Sequence, residues 1–264
     1  MPRRHPTRVE YSASVNLSDT RALVTSSSRN LGADVARTLA ARGATVAVTY
    51  HDSPQAAADL VEELRERHGG NHVAVFADTQ TTDGVSVMMD AVLGELGGVE
   101  ILVNNSGPFS AVPFAEISPT EFDRVWNANV TATFLAVQHA VPSMRSAGWG
   151  RIINLSAVSA SVRNRSIYGL AKSAIEILTE ELALELAPAI TVNAVSPGQI
   201  RESLDEMAGL HPEWAHTVTE RTPLGRLVTR REVAELIALL CTPAFDMVTG
   251  ATIHIDGGLR LPRF

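Results

Sequence analysis

Residues 22–32 read Ala-Leu-Val-Thr-Ser-Ser-Ser-Arg-Asn-Leu-Gly, a short apolar run that leads through a polar turn into an amphipathic stretch. Six more apolar runs follow, at residues 45–50, 72–77, 101–104, 151–155, 190–194 and 252–255. Nearly continuous apolar runs are typical of strands buried on both faces, and helical patterns separate these ones. The alternation predicts an α/β fold with a doubly wound parallel sheet of seven strands and right-handed crossovers.

The length and composition favour one large domain. The chain has 264 residues, of which 45% are hydrophobic and 19% charged, so it can bury a sizeable core. We expect residues 1–18 to form an N-terminal arm and residues 19–264 to form a single domain. Helix-start signals support the helical segments: Ser53 precedes a proline, and Ser118 and Thr229 each stand three residues before a glutamate.

Charge and cysteine content argue against several classes of function. The formal net charge of −7 disfavours nucleic acid or an anionic membrane as a partner, and no apolar run is long enough to span a bilayer. The single cysteine, Cys241, cannot form an internal disulfide, which favours a reducing, cytoplasmic location. His211 and His216 have no cysteine or carboxylate nearby in ligand spacing, so no metal site is expected.

The residues after each strand carry the functional information, because doubly wound sheets bind ligands beyond the carboxyl ends of their strands. The turn at residues 26–32 could present backbone N–H groups and a helix N-terminus to phosphate groups. Gly32 is its only glycine, so taken alone this turn is a weak sign of a nucleotide site, and a plain polar turn explains it equally well.

A second pattern follows the fifth apolar run. Tyr168 and Lys172 are four residues apart, so on a helix their side chains share one face. An ammonium group beside a phenol favours the phenolate and lowers the tyrosine pKa from its usual value of about 10. Such a tyrosine can exchange a proton with an alcohol or a carbonyl group.

Taken in order, these motifs resemble those of the short-chain dehydrogenase/reductase family, with 3-oxoacyl-carrier-protein reductases as the nearest type. Residues 25–32 resemble the family's Thr-Gly-x-x-x-Gly-x-Gly fingerprint, with Ser26 and Asn30 in place of the first two glycines. Three more segments resemble family motifs: Asn-Asn-Ser-Gly at 104–107, where Ser106 replaces the family's alanine, Tyr-Gly-Leu-Ala-Lys at 168–172 and Pro-Gly-Gln-Ile at 197–200. The resemblance covers about residues 19–260 and implies a Rossmann-like fold.

The resemblance implies NADP(H) as the cofactor. NAD-preferring relatives carry an acidic residue at the end of the second strand, where this chain has Tyr50. Arg29 and His51 stand at positions that favour the 2′-phosphate of NADP, whereas Asp52 would repel it. The cofactor-binding residues implied by the resemblance are Ser26, Ser28, Arg29, Asn30, Leu31, Gly32, Tyr50, His51, Asp78, Thr79, Asn105, Ser106, Gly107, Tyr168, Lys172, Pro197, Gly198 and Ile200.

The resemblance also implies a catalytic set. Tyr168 is the general acid in reduction, and Lys172 lowers the pKa of Tyr168 and binds the nicotinamide ribose. Asn129 matches the family asparagine that holds a water for proton relay. The alternative for Asn129 is a purely structural role on its helix.

The catalytic serine of the family has no direct counterpart, because its position is Ala157 here. Ser159 lies two residues further on and would share the side of Ala157 if the chain stays extended. A local shift that turns Ser156 inward is the other possibility, and we favour Ser159. Losing a hydrogen-bond donor at such a site costs roughly 10²–10³ in rate.

We therefore expect reduction of a carbonyl group in a 3-oxoacyl-thioester-like substrate. An enoyl-thioester reductase is one alternative, because a missing serine would harm it less. An NADP-binding protein with little catalysis is another, motivated by Ser26, Ala157 and Glu202, which all depart from the family pattern. Relatives cover the substrate with the segment that matches residues 201–227 and assemble as tetramers, so the resemblance implies a substrate lid and a homotetramer.

Overall fold

The computed structural model of the chain describes residues 16–162, 166–208 and 212–262. Its strands are β1 (Arg21–Val24), β2 (Thr45–Tyr50), β3 (Val73–Phe76), β4 (Ile101–Asn104), β5 (Gly150–Leu155), β6 (Ile190–Pro197) and β7 (Thr252–Ile255). They form one parallel sheet in the order β3-β2-β1-β4-β5-β6-β7. The predicted seven-stranded parallel sheet is confirmed.

Strand ends agree with the sequence prediction to within a residue except in β6. The apolar run at 190–194 predicts a shorter strand than the structure shows. Pairing continues beyond it because Ser196 lies opposite His254 of β7 and Pro197 lies opposite Ile255. The neighbouring strand, rather than local hydrophobicity, sets this boundary.

Ten helices in the described ranges surround the sheet. They are α1 (Asn30–Ala40), α2 (Pro54–His68), α3 (Thr82–Leu96), α4 (Pro119–Trp126), α5 (Ala132–Ala147), α6 (Val158–Ser161), α7 (Ile167–Leu186), α8 (Arg201–Ala208), α9 (Pro212–Glu220) and α10 (Arg230–Leu240). Among these described helices, none combines the length and apolarity that crossing a membrane requires.

Capping side chains fix the starts of two predicted helices. At α10, the Thr229 hydroxyl accepts a hydrogen bond from the N–H of Glu232, whose carboxylate accepts one from the N–H of Thr229. At α4, the Ser118 hydroxyl accepts from the N–H of Glu121, but the Glu121 carboxylate binds Arg124 instead. The predicted capping box is therefore complete in α10, whereas α4 has the serine cap alone.

Alternating side chains of each strand supply two separate core layers. Ala22 and Val24 of β1 pack on the side of α1, α2 and α10, whereas Leu23 packs on the side of α3, α5 and α7. Full burial of a leucine stabilises the fold by about 1.5–3 kcal/mol. Leu17, within the predicted N-terminal arm, is also buried in the core, and its N–H donates to the Arg42 carbonyl at 2.8 Å.

The order in which the chain adds strands to the sheet changes direction between β1 and β4. From β1 the chain proceeds outward through β2 and β3, and it then returns to place β4 on the opposite side of β1. The loops after β1 and β4 leave in opposite directions at such a point, which opens a crevice between them. The Thr25 N–H donates to the Val103 carbonyl at 3.0 Å and joins the two strands at the base of this crevice.

Candidate active site

The turn after β1 adopts the backbone conformation that glycine normally supplies. Ser26 has φ of 50° and Asn30 has φ of 54°, so both residues lie in the left-handed region. Gly32 is needed for space, because a Cβ there would lie 2.4 Å from the Ser26 carbonyl oxygen and 2.8 Å from Asn105 Nδ2. Helix α1 follows, and the side chain of its N-cap residue Arg29 makes no capping hydrogen bond to the first helical turn. Its N-terminus is thus suited to receive an anion.

Side-chain hydrogen bonds join this turn to the turn after β4. Thr25 Oγ1 accepts from the N–H groups of Asn105 and Ser106 at 2.8 and 3.0 Å. Asn105 Nδ2 donates to the Thr25 and Ser26 carbonyl oxygens at 3.0 and 3.1 Å. The Ser26 and Ser106 hydroxyl oxygens lie 2.7 Å apart, so these two serines hydrogen-bond to each other. The network fixes both edges of the crevice.

Charged side chains meet beyond the end of β2. Arg29 Nη2 lies 3.1 Å from Asp52 Oδ1, and both side chains are more than half exposed. The Ser53 hydroxyl and the Arg29 guanidinium lower the pKa of Asp52. The His51 ring stacks on Phe76 with centroids 5.7 Å apart. The Asp52 carboxylate is thus already paired with the arginine that was predicted to favour a phosphate.

Two cavities open along the crevice and share the lining residues Leu31, Asn105 and Gly107. One, of about 540 Å³, lies at the ends of β1 and β2, and the other, of about 770 Å³, lies beside α7. The first is lined by the predicted residues Ser26, Ser28, Arg29, Asn30, Leu31, Gly32, Tyr50, His51, Thr79, Asn105 and Gly107. The second is lined by the predicted residues Ser159, Tyr168, Lys172, Pro197, Gly198 and Ile200.

Two predicted cofactor-binding residues lie outside these linings. The Asp78 carboxylate accepts from the Gln80 N–H at 2.9 Å and from the Thr81 hydroxyl at 3.2 Å, which shapes the turn after β3. Ser106 is buried against Ser26. Both side chains therefore form hydrogen bonds within the protein.

Asn129 is buried in a π-helical turn, Asn127–Thr131, between α4 and α5. Its Nδ2 donates to the carbonyl oxygens of Val125 and Pro108 at 2.9 and 3.3 Å. A Cβ on Gly107, which has φ of +150°, would lie 2.0 Å from Asn129 Oδ1. Asn129 therefore stands behind the cavity lining and holds the turn after β4 in place. Its relay role stays a prediction.

Buried polar contacts anchor α7 against the sheet. The Ser166 hydroxyl accepts from the Gly169 N–H at 3.1 Å and caps the helix. Further along, Asn104 Nδ2 donates to Asn154 Oδ1, and Asn154 Nδ2 donates to Thr179 Oγ1, each at 2.9 Å. These contacts link β4, β5 and α7, so the helix face that carries Tyr168 has a fixed orientation.

Tyr168 and Lys172 share one face of α7, as predicted. The Lys172 Nζ lies 5.5 Å from the centroid of the Tyr168 ring and donates to the Leu155 carbonyl oxygen at 2.7 Å. Burial raises the pKa of Tyr168 to about 12 and lowers the pKa of Lys172 to about 8. The predicted lowering of the tyrosine pKa is thus wrong for this structure, because desolvation disfavours both charged forms. The phenol keeps its proton at neutral pH.

The structure separates the two serine candidates. Ser156 also lines the larger cavity, but its Oγ donates to Glu176 Oε1 at 2.6 Å, so its hydroxyl already has a hydrogen-bond partner. Ser159 lines the larger cavity, and its Oγ is buried without a hydrogen-bond partner among the described residues. The expectation of an extended chain from Ala157 is wrong, because Ser159 lies in α6. The helical turn still brings Ser159 to the cavity.

The predicted lid begins with the helices α8 and α9. Glu202, which departs from the family pattern, accepts from the Arg230 N–H at 3.1 Å and thus contacts the start of α10. Its neighbour Ser203 lines the larger cavity. His211 lies outside the described residues.

Several residues that line the larger cavity were not predicted as site residues, notably Phe109. Phe109 stands two residues after Gly107, and its ring centroid is 5.3 Å from that of Tyr168. The available signal was its place just beyond the carboxyl end of β4, where ligand contacts are expected. Its partner ring is distant in sequence, so the contact itself had no local signal.

Comparisons with known proteins agree with this geometry. A family model described as enoyl-(acyl carrier protein) reductase matches residues 25–260. A 3-oxoacyl-[acyl-carrier-protein] reductase of Aquifex aeolicus is 33% identical over 240 residues, which cover 90% of this chain and 96% of that protein.

Two solved structures share the fold closely. A short-chain dehydrogenase/reductase from Serratia marcescens matches with a TM-score of 0.84 and 32% identity, over 92% of this chain and 99% of that chain. A blue fluorescent protein from a metagenomic library, in complex with NADPH, matches with a TM-score of 0.84 and 34% identity over the same shares of the two chains. The protein therefore belongs to the short-chain dehydrogenase/reductase family of oxidoreductases.

Proposed function

We propose that this protein reduces a carbonyl group with NADPH, and that its substrate is a 3-oxoacyl thioester or a closely similar ketone. The observation that carries the proposal is a protonated phenol, Tyr168, beside the buried Lys172 at a cavity of about 770 Å³. A continuous crevice leads from this cavity to Arg29. The similarity to the 3-oxoacyl-[acyl-carrier-protein] reductase of Aquifex aeolicus supports this substrate class.

The crevice residues fit a dinucleotide. Gly32 and Gly107 both line the crevice, and close packing requires glycine at each, since a Cβ would lie 2.4 Å from the Ser26 carbonyl oxygen or 2.0 Å from Asn129 Oδ1. The N-terminus of α1 suits a pyrophosphate group, and Arg29 and His51 line the end where a ribose 2′-phosphate would lie. Tyr168 and Lys172 line the opposite end, where the nicotinamide would lie.

The chain's own residues supply and stabilise the charges that accompany proton transfer. A bound NADPH supplies the hydride that the carbonyl carbon receives. The Tyr168 O–H donates its proton to the carbonyl oxygen as negative charge develops there, which yields the alcohol. Lys172, an ammonium below its pKa of about 8, lies one helical turn away and stabilises the phenolate left behind. The Ser159 hydroxyl donates a hydrogen bond to the same oxygen.

The direct test is NADPH oxidation with acetoacetyl-N-acetylcysteamine thioester. We expect loss of NADPH fluorescence and formation of the 3-hydroxybutyryl thioester. If the protein binds NADPH yet oxidises it with no ketone in a broad panel, carbonyl reduction is wrong and a nucleotide-binding role is favoured.

An enoyl-thioester reductase is the second candidate, because the matching family model carries that description and Ala157 replaces the family serine. The same assay with crotonyl-N-acetylcysteamine thioester separates the two reactions. Formation of a butyryl thioester at a higher kcat/KM than ketone reduction would favour the enoyl reductase.

Arg29 and Asp52 provide a prediction about cofactor preference. Arg29→Ala is expected to weaken NADPH binding roughly tenfold or more, because a charge-assisted hydrogen bond to phosphate is lost. Asp52→Asn is expected to strengthen NADPH binding, because it releases Arg29 from the ion pair at 3.1 Å. Fluorescence titration measures both, with NADH as the control. An equal effect on both cofactors would show that Arg29 does not contact the 2′-phosphate.

We also propose a homo-oligomer, a tetramer by family resemblance, and α7 supports it. Leu170, Ile177 and Leu184 are spaced by seven residues on this helix and are 46%, 62% and 81% exposed. Exposed apolar stripes of this kind mark protein interfaces. Ile177→Glu with Leu184→Glu should lower the mass measured by light scattering, whereas Val87→Glu, at an equally exposed site on α3, should not. A chain that is monomeric before mutation would refute the proposal.

A further inference from the structure

Phe109 leaves apolar surface uncovered next to the reacting group. Its side chain is 59% exposed although it lines the larger cavity. Its ring meets the Tyr168 ring edge-on, with centroids 5.3 Å apart and an interplanar angle of 70°. Covering exposed aromatic surface with an apolar ligand is favourable, so the ring offers a binding surface immediately beside the proton donor.

Contacts on both sides hold Phe109 in position. Before it, Gly107 packs so closely on Asn129 that a Cβ would lie 2.0 Å from Oδ1, and the Pro108 carbonyl accepts from Asn129 Nδ2. After it, Ser110 is buried. A surface held this way before the ligand arrives loses little conformational entropy on binding.

Further apolar residues line the cavity near Phe109, and the polar residues of its lining are almost all uncharged. Ala111, Val158 and Val162 line it together with Phe109. Of the described residues in this lining, Lys172 alone is charged, and its ammonium already donates to the Leu155 carbonyl at 2.7 Å. A carboxylate brought into this cavity would lose its hydration without gaining a cation of its own, which is costly.

We propose that Phe109 is a specificity-determining residue that packs an uncharged, apolar acyl chain beside the carbonyl group. The preferred substrates are then medium-chain 3-oxoacyl groups rather than acetoacetyl groups or acyl groups that end in a carboxylate. This inference rests on the proposed carbonyl reduction.

Three N-acetylcysteamine thioesters test the proposal with the full-length protein: acetoacetyl, 3-oxooctanoyl and 3-oxoadipyl. We expect kcat/KM for the 3-oxooctanoyl compound to exceed that for acetoacetyl by roughly tenfold, since part of its four extra methylenes is buried. The 3-oxoadipyl compound should be the poorest. Phe109→Ala should remove most of the preference, because kcat/KM should fall far more for the 3-oxooctanoyl compound than for acetoacetyl, mainly through KM.

Phe114→Ala is the matched control, because Phe114 is 49% exposed on the same loop but lies outside the cavity lining. It should change none of these values, and neither variant should alter the Kd for NADPH. An equal loss for all substrates in Phe109→Ala would show that Phe109 only supports Tyr168 and would overturn the proposal. Acetoacetyl reduction without chain preference overturns this inference alone, whereas no reduction of any thioester overturns the proposed function too.

Discussion

Tyr168→Phe is expected to lower kcat for ketone reduction by about 10²–10⁴-fold, the usual contribution of a positioned general acid. The substitution removes one hydroxyl and keeps the ring, so the edge-on contact with Phe109 is retained. The Kd for NADPH should stay within about threefold of its original value. Steady-state kinetics and fluorescence titration measure the two quantities separately.

Tyr50→Phe is the matched control for this experiment. It removes the same hydroxyl from a residue that lines the smaller cavity, far along the crevice from α7. It should leave kcat at saturating NADPH nearly unchanged, because an effect of the lost hydroxyl on cofactor binding would appear in KM for NADPH. If Tyr168→Phe and Tyr50→Phe behave alike, Tyr168 is not the proton donor, and a nucleotide-binding role with little catalysis becomes the better interpretation.

Ser159→Ala is expected to lower kcat by about 10²–10³-fold, the cost of losing one hydrogen-bond donor to a developing oxyanion. The prediction rests on the contrast between the two serines. Both serines line the larger cavity, but the buried Ser159 hydroxyl has no partner among the residues the structure describes, whereas Ser156 Oγ is bonded to Glu176.

Ser156→Ala is the control and should mainly affect stability, by about 1 kcal/mol for the lost hydrogen bond to Glu176. Its kcat should fall by less than about fivefold. Adding Ala157→Ser to Ser159→Ala restores a hydroxyl at the family position, also on the cavity lining, and should recover part of the activity. A large loss in Ser156→Ala together with a silent Ser159→Ala would reverse the assignment.

The strands could be predicted well because most of them are buried on both faces. In β4 the apolar run from Ile101 to Val103 coincides with full burial, and β5 is fully buried although Arg151 and Asn154 interrupt its apolar residues. β6 is the exception, since its last residues, Ser196 and Pro197, are held by pairing with β7. Such pairing partners are distant in sequence and leave no local pattern.

The site was predictable where it depends on the order of motifs along the chain and on the spacing of residues in a helix. The shared face of Tyr168 and Lys172 follows from their spacing of four residues on a helix. The pKa of Tyr168 did not follow, because it depends on burial by residues from several elements. The helical conformation at Ser159 and the contact between Phe109 and Tyr168 likewise depend on tertiary packing.

A hydrogen bond joins Ser26 and Ser106, which lie 80 residues apart in the sequence and which replace a glycine and an alanine of the family motifs. Glycine at position 26 alone would relieve the backbone strain at φ of 50°. It would also leave the buried Ser106 hydroxyl without this partner. Alanine at position 106 alone would keep the backbone strain without the compensating contact. The two positions are therefore epistatic. If glycine at position 26 and alanine at position 106 are introduced one at a time, the single variants should be less stable than both the present chain and the double variant.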